Sequence, residues 1–414
     1  MPVDLLRQTV IRWNDPDPQY VPLLREGGIT AVLSPPHEPF EKACSAAGIQ
    51  VVHEADVRIV PLADAPKTSA GSPVVFRAGL WPGVHPLDGS VASATRGVWI
   101  DQNCYLVNYL KALFPGLPPI LGYLPDKEGG VPPERAVPFD TLELALAEAW
   151  MPGGNFVMAL ETHFREALLK GAANAVTAWR KVGRTAAWLR ENAAVFGKPM
   201  QRNITILVDT KDDSLEIANL AYRQNVSPTL VAAANPPAPD PAHCLELVAV
   251  GIAPPAADAR RRILASAEAG TTVVVDAPGE QAWWRAPGLK HLRDDPDRDY
   301  YSLGKGQVVA YKEPVLDPSE LALDTIDYVT QDRRAARVFN CNSAVVMAGT
   351  SVLYIVNYGR AQDLPVLARI QGAFTKATLL RPDAAPQSVK VSRRGSSSEA
   401  TLPNLERVAA VIFG

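Results

Sequence analysis

The 414-residue chain has only four cysteines, Cys44, Cys104, Cys244 and Cys341, far apart and with no CxxC pair. That spacing speaks against a disulfide framework or a structural metal site and predicts small buried core residues. No apolar run reaches the roughly 18 residues that a bilayer-spanning helix needs, so no membrane partner is expected. Basic clusters are also missing: 41 Lys and Arg stand against 44 Asp and Glu, a formal charge of −3. Nucleic acid is not an expected partner of such a chain. The opening MPVDLLRQ lacks the basic and apolar regions of a secretory signal. Its compartment stays open between cytoplasmic and secreted with a signal removed. There is no GxSxG and no Cys/His pair placed as nucleophile and base, which disfavours an esterase or amidase. No internal repeat is visible, GSSS at 395–398 reads as a surface loop, and nothing in the sequence asks for a cofactor.

What is present describes an ordinary globular chain, 47% hydrophobic and 21% charged. Its length accommodates two or three cores, and 37 prolines suit many loops with fixed turns. In the first half, apolar strands alternate with helical or looped segments. They are TVIRW at 9–13, GITAVL at 28–33, IQVVH at 49–53, PVVFRAGL at 73–80, GVWID at 97–101, PILGY at 119–123 and NFVMALE at 155–161. VRIVPL at 57–62 is an eighth or an extension. Helices are expected near 39–48, 105–114 and across 167–196. Repeated βα units favour a parallel architecture, either a barrel or a doubly wound sheet.

The second half continues with ITILVDT at 204–210, a helix at 215–225, TLVAA at 229–233, LELVAVGI at 245–252, a helix at 258–269 and TTVVVD at 271–276. Alternating apolar strands and helices predict a parallel sheet covered on both faces. Gly270 stops the second helix as a left-handed cap. After GKGQVVAYKE at 304–313, the tail holds ARVFN, SAVVMA, VLYIVNYG, ATLLRPD and VAAVIF, short strands with little helical periodicity.

This order over 204–414 resembles the region behind the catalytic barrel in bacterial glycoside hydrolases of the barrel-type β-galactosidase kind. The resemblance implies an α/β chain of three parts. The first, 1–200, is a (β/α)8-like barrel, distorted or incomplete because 200 residues is short for it. The second, 201–332, is a flavodoxin-like, class I glutamine-amidotransferase-like domain, and the third, 333–414, is a small β-sandwich. It implies a carbohydrate substrate, and homo-oligomerisation through the accessory domains is open. A working amidotransferase needs a Cys on the turn after its strand; Ala253, Pro254 and Pro255 follow LELVAVGI, and Cys244 precedes it. This domain is therefore read as chemically empty.

In a barrel, chemistry sits at the carboxyl ends of the strands, and glycoside cleavage needs two carboxyl groups. Glu161 closes the apolar NFVMAL and, by the resemblance, occupies the nucleophile position at the end of strand seven; the alternative is a charge in a helix first turn. Asp101, closing VWID, is the candidate acid, a sugar ligand, or the N-cap of the next helix. Asp126 in YLPDKEGG is its substitute or a turn residue. Trp13, Asn14, Trp81, His85, Asn103, Tyr123 and His163 are the substrate-binding candidates, since aromatic faces pack on sugar C–H faces and polar groups meet hydroxyls. Trp81 is otherwise a buried loop residue, and His163 a solvated helix-start residue. One departure from the family pattern stands out: the expected Asn-Glu pair at the end of strand four is absent, and LWPGVHP there carries no carboxylate. The alternative to hydrolysis is a non-catalytic glycan-binding or scaffolding protein of the same architecture.

Overall fold

The computed structural model describes residues 4–68, 73–81, 103–123, 138–276, 282–313, 318–330, 335–341, 343–359, 364–403 and 405–414. It is a mixed α/β protein built on several sheets. The first region carries seven short parallel strands: β1 (Val10–Arg12), β2 (Ala31–Ser34), β3 (Gln50–His53), β4 (Arg58–Val60), β5 (Val74–Gly79), β6 (Ile120–Tyr123) and β7 (Asn155–Val157). They form two ladders, β1-β2-β3 and β4-β5-β6-β7. A parallel bridge from Ile11 to Met158 joins them, with Arg12 N–H donating to Met158 O at 2.7 Å.

Strand alternation sorts these residues onto two sides. Val10, Ala31, Leu33, Val52, Val75, Ile120 and Val157 meet in one buried cluster, with Ile59 against it. Every one of the seven strands contributes to this cluster. Ile11, Val32, Phe76, Leu121, Phe156 and Met158 point the other way, into the core shared with the helices. Leu5 joins the same cluster, and Asn155 Nδ2 holds the chain beside it through Gln8 O at 2.8 Å. Among the described residues no ladder joins β3 to β4. The short segment 57–62 thus supplies a strand of its own. The expected strand at 97–101 lies outside the described residues, while β5 pairs directly with β6.

The helices follow apolar spacing. They are α1 (Val21–Glu26), α2 (Glu38–Ala46), α3 (Asn103–Leu113), α4 (Leu142–Trp150), α5 (Thr162–Leu169) and α6 (Ala173–Glu191). The single long helix expected over 167–196 is two, broken at Gly171, whose φ of 72° ends α5. On α6, Ala175, Ala178, Trp179, Val182, Ala186 and Leu189 form the buried stripe. Every residue of α4 is buried, because it lies between neighbouring helices and a sheet of the third region.

The second sheet runs β12-β13-β14-β11-β10-β8-β9. Its strands are β8 (Ile204–Val208), β9 (Pro228–Ala232), β10 (Glu246–Ala249), β11 (Thr272–Val275), β12 (Lys290–Asp294), β13 (Arg298–Leu303) and β14 (Gly306–Tyr311). Five are parallel and the hairpin β12–β13 extends one edge antiparallel. The sheet is therefore mixed, not wholly parallel. Helices α7 (Asp212–Tyr222), α8 (Ala257–Ala269) and α9 (Pro318–Thr330) complete the region. Gly270 after α8 has φ 128°, and its N–H returns to Ala267 O at 3.0 Å.

The third region has two antiparallel sheets. One holds β15 (Arg337–Phe339), β18 (Val366–Gln371), β21 (Val391–Arg394) and β22 (Ser397–Leu402). The other holds β16 (Ala344–Ala348), β17 (Val352–Asn357), β19 (Ala377–Arg381), β20 (Ala384–Val389) and β23 (Val408–Phe413). Val338, Ala368 and Leu402 of the first meet Val346, Leu353 and Val411 of the second in one core. The outer face of the second sheet, including Met347, Tyr354 and Val356, joins the main core of the first region. The expected surface loop 395–398 is a hairpin turn only at its start: Ser397 and Ser398 are fully buried in β22. All four cysteines are buried and free. No helix among the described residues is long and apolar enough to cross a membrane.

Candidate functional site

A cleft of about 370 Å³ opens at the carboxyl ends of β1 and β7. Its first wall is Arg12, Trp13, Asn14 and Asp15; its second is Ala159 and Leu160 with Thr162, Arg165 and Glu166 of α5. The Trp13 N–H donates to Leu33 O at 2.8 Å, which anchors the chain as it leaves β1. The indole Nε1 donates to Asp15 O at 2.7 Å. The Arg165 guanidinium lies 5.3 Å over the Trp13 ring and pairs with Asp15 at 2.7 Å. A cation held over an aromatic face and tied to a carboxylate keeps the wall ordered.

Arg12 also pairs with Glu54 at 2.7 Å, with side chains 23% and 27% exposed. Arg12 stands two residues beyond the inward-facing Val10, and Glu54 two beyond the inward-facing Val52. His53 is extended (φ −72°, ψ 131°), so the alternation carries through to Glu54. The ion pair therefore joins the carboxyl ends of β1 and β3.

Glu161 is the N-cap of α5. It is 3% exposed, and its two oxygens accept the N–H groups of His163 and Phe164, both at 2.8 Å. It is not among the residues lining the cleft. Thr162 and His163 beside it are exposed, with the His163 ring 5.5 Å from Phe139. Trp81 and Tyr123 are sealed in the core. Their rings meet edge-on at 5.4 Å, and Trp81 meets Phe164 at 5.7 Å. The Trp81 Nε1 donates to Thr141 Oγ1 at 3.0 Å. Asn103 is fully buried at the start of α3, where it accepts Leu80 N–H at 2.8 Å and donates to Leu80 O at 2.9 Å.

Of the sequence-derived candidates, then, the cleft brings together Trp13 and Asn14. Glu161, Trp81, Tyr123 and Asn103 are engaged inside the protein. Asp101, Asp126 and His85 lie outside the described residues. Glu54 and Glu166 are not among those candidates. The strand-end rule that selects Trp13 and Tyr123, applied to IQVVH, leads directly to Glu54.

Outside this region, Cys244 is buried beside Thr205, and burial pushes its thiol up to about 11. A thiol so placed is a poor nucleophile. On the exposed hairpin β12–β13, ligand atoms of His291, Asp294 and Asp299 lie within 4.8 Å of one another. Lys312 already stands 3.2 Å from Asp299 and supplies a cation there.

No protein-family profile and no curated protein sequence matches the chain. Solved structures do. The α-L-fucosidase isoenzyme 2 from Paenibacillus thiaminolyticus superposes with a TM-score of 0.52 at 12% identity, over 84% of this chain and 69% of that one. The fold is glycosidase-like. A β-galactosidase from G. stearothermophilus gives 0.49 at 10% identity, over 91% of this chain and 65% of that one. A β-galactosidase from Rahnella sp. gives 0.49 at 11%, over 89% and 65%. The chain thus spans about two thirds of the length of each.

Proposed function

We propose that the protein engages a carbohydrate in the cleft at the carboxyl ends of β1 and β7. The observation that carries this is the placement there of Asn14, Asp15, Arg165 and Glu166, amide, carboxylate and guanidinium groups around a cleft whose floor includes the buried Trp13. In this reading residues 1–200 are an incomplete (β/α) barrel. Residues 201–332 are an amidotransferase-like unit without its nucleophile, and 333–414 are a β-sandwich. The two accessory units serve packing or self-association.

The hydrolase form of the proposal makes Glu161 the nucleophile or base, with Asp101 as acid and Asp126 as its substitute. One observation favours the alternative, a glycan-binding protein without turnover. Glu161 is buried, caps α5 through both oxygens and is not among the residues lining the cleft. Non-hydrolytic binding is accordingly the form the geometry supports best.

A panel of aryl glycosides, assayed for both turnover and binding, tests the proposal. Binding without turnover is the expected result. Turnover that Glu161→Gln reduces by several orders of magnitude, with folding intact, would replace it with the hydrolase form. Neither binding nor turnover with any sugar would remove carbohydrate from the cleft altogether.

A further inference from the structure

We infer that Glu161 is a positioning residue of this cleft: by capping α5 it fixes the Arg165 guanidinium between the two walls and so sets their spacing. The effect on binding rests on the proposed carbohydrate site, whereas the placement of Arg165 stands without any ligand.

The first wall is held independently of α5. The Trp13 N–H reaches Leu33 O at 2.8 Å, its indole Nε1 reaches Asp15 O at 2.7 Å, and the Asp17 N–H returns to the same oxygen at 2.8 Å. The second wall includes the start of α5, which lays Thr162, Arg165 and Glu166 along the cleft. Arg165 joins the two, 5.3 Å over the Trp13 ring and 2.7 Å from Asp15.

That link cannot order the helix by itself. Its side chains are 33% and 51% exposed, and ion pairs so open to water contribute little. With eight residues, α5 is too short to be stable alone. Phe164 anchors one side of it, stacked on Phe139 at 4.5 Å and edge-on to Trp81 at 5.7 Å. Arg165 stands about 100° further round the helix, so its direction depends on how the first turn is wound. Glu161 governs that turn. Its buried carboxylate accepts the N–H groups of His163 and Phe164 at 2.8 Å, and its main-chain O accepts the Arg165 N–H at 2.9 Å. Charge-assisted bonds sheltered from water are the stronger ones, so the cap sets the exposed pair and not the reverse.

Nuclear magnetic resonance of the full chain labelled at arginine reads the place of Arg165 directly, because an indole ring current shifts groups over its face upfield. The Arg165 side-chain signals, assigned by their loss in Arg165→Lys, should be upfield in wild type and move toward free-arginine values in Glu161→Ala. They should return in Glu161→Asn, which carries no charge but caps a helix well. Methyl β-galactoside, methyl β-glucoside and methyl α-fucoside then serve as ligands in calorimetric titration. A glycoside that binds wild type should bind Glu161→Ala about fivefold or more weakly, the scale of a lost cap, and Glu161→Asn nearly as well as wild type. Adding Glu161→Ala to Arg165→Ala should cost no further affinity. Arg165 signals unmoved in Glu161→Ala would overturn the inference. So would additive losses in the double variant, or lost binding in Glu161→Asn with the Arg165 signals restored, and these would leave the carbohydrate site standing. Absence of binding to every glycoside would remove the carbohydrate reading, and the Arg165 signals alone would then decide whether Glu161 positions the wall.

Discussion

The main-chain N–H of Phe164 donates to Oε2 of Glu161 at 2.8 Å, while Oε1 of the same carboxylate accepts from His163 at 2.8 Å. This closes the amino end of α5, where otherwise unpaired N–H groups and the helix dipole favour a negative charge. Replacing Glu161 by Ala should therefore lower stability by about 1 kcal/mol, the usual scale for a lost cap. Urea unfolding of the variant measures it. An unchanged midpoint would show that the cap contributes nothing.

Tyr358 makes a comparable link between regions. Its hydroxyl donates to Oε1 of Glu148, which is fully buried on α4, while Oε2 accepts Asn103 N–H at 2.6 Å. Tyr358→Phe removes one oxygen and leaves the ring in place, so no cavity is added. The carboxylate then loses a donor inside the core, at a cost of about 1–3 kcal/mol. Equilibrium denaturation should report it as one cooperative transition at lower denaturant. Two separated transitions would mean that the third region unfolds independently of the first.

How far these features were legible follows from what each signal measures. PILGY stands where the sequence puts it, whereas the strand expected over NFVMALE at 155–161 ends at Val157, with Met158 in a single further bridge. Arg58–Val60 is ambiguous in sequence because three residues show no period, and only its ladder with β5 defines it. The hairpin Lys290–Asp294 and Arg298–Leu303 escapes notice because β12 is exposed along its whole length and shows no apolar alternation. At the cleft, Trp13 and Asn14 are reachable from the strand-end rule. The burial of Trp81 depends on Phe164 and Thr141, partners remote in sequence that no local pattern names. Glu161 shows the limit most directly: a carboxylate after an apolar strand reads alike whether it faces a cleft or caps the next helix.

Close backbone packing gives a third prediction. A Cβ on Gly183 of α6 would lie 2.2 Å from Glu26 O and 3.0 Å from Gly27 C. The neighbouring atoms are backbone and cannot rotate aside, so Gly183→Ala must push α6 away from the end of α1. A destabilisation of about 1–3 kcal/mol is expected, the range for overpacked sites. Gly116→Ala, where an added Cβ meets nothing within 4 Å, serves as the control and should leave the urea midpoint nearly unchanged. Equal effects at both positions would remove packing as the explanation.

Glu246 supplies the last prediction, through pH. It lies on β10 with 1% exposure, and among the described residues no cation pairs with it. Burial pushes its carboxyl well above the ordinary range. Thr325 of α9 opposes that shift by hydrogen bonding, and the charge of Asp324 adds to it. Asp324 is itself held by Arg298 and by the Tyr311 hydroxyl at 2.7 Å. A raised folded-state value means that the folded protein binds the proton more tightly than the unfolded chain does. The contribution to stability is then fully present below the unfolded carboxyl value, about pH 4.3, and is lost as pH rises toward the folded value. Glu246→Gln keeps the shape and removes the titration. The variant should be more stable than wild type at neutral and mildly alkaline pH, with the difference shrinking toward pH 4. Thermal unfolding of both proteins across pH 4–9 measures that difference. A gap that stays constant, or widens toward acid, would show that Glu246 is ionised in the folded protein and held by a compensating charge.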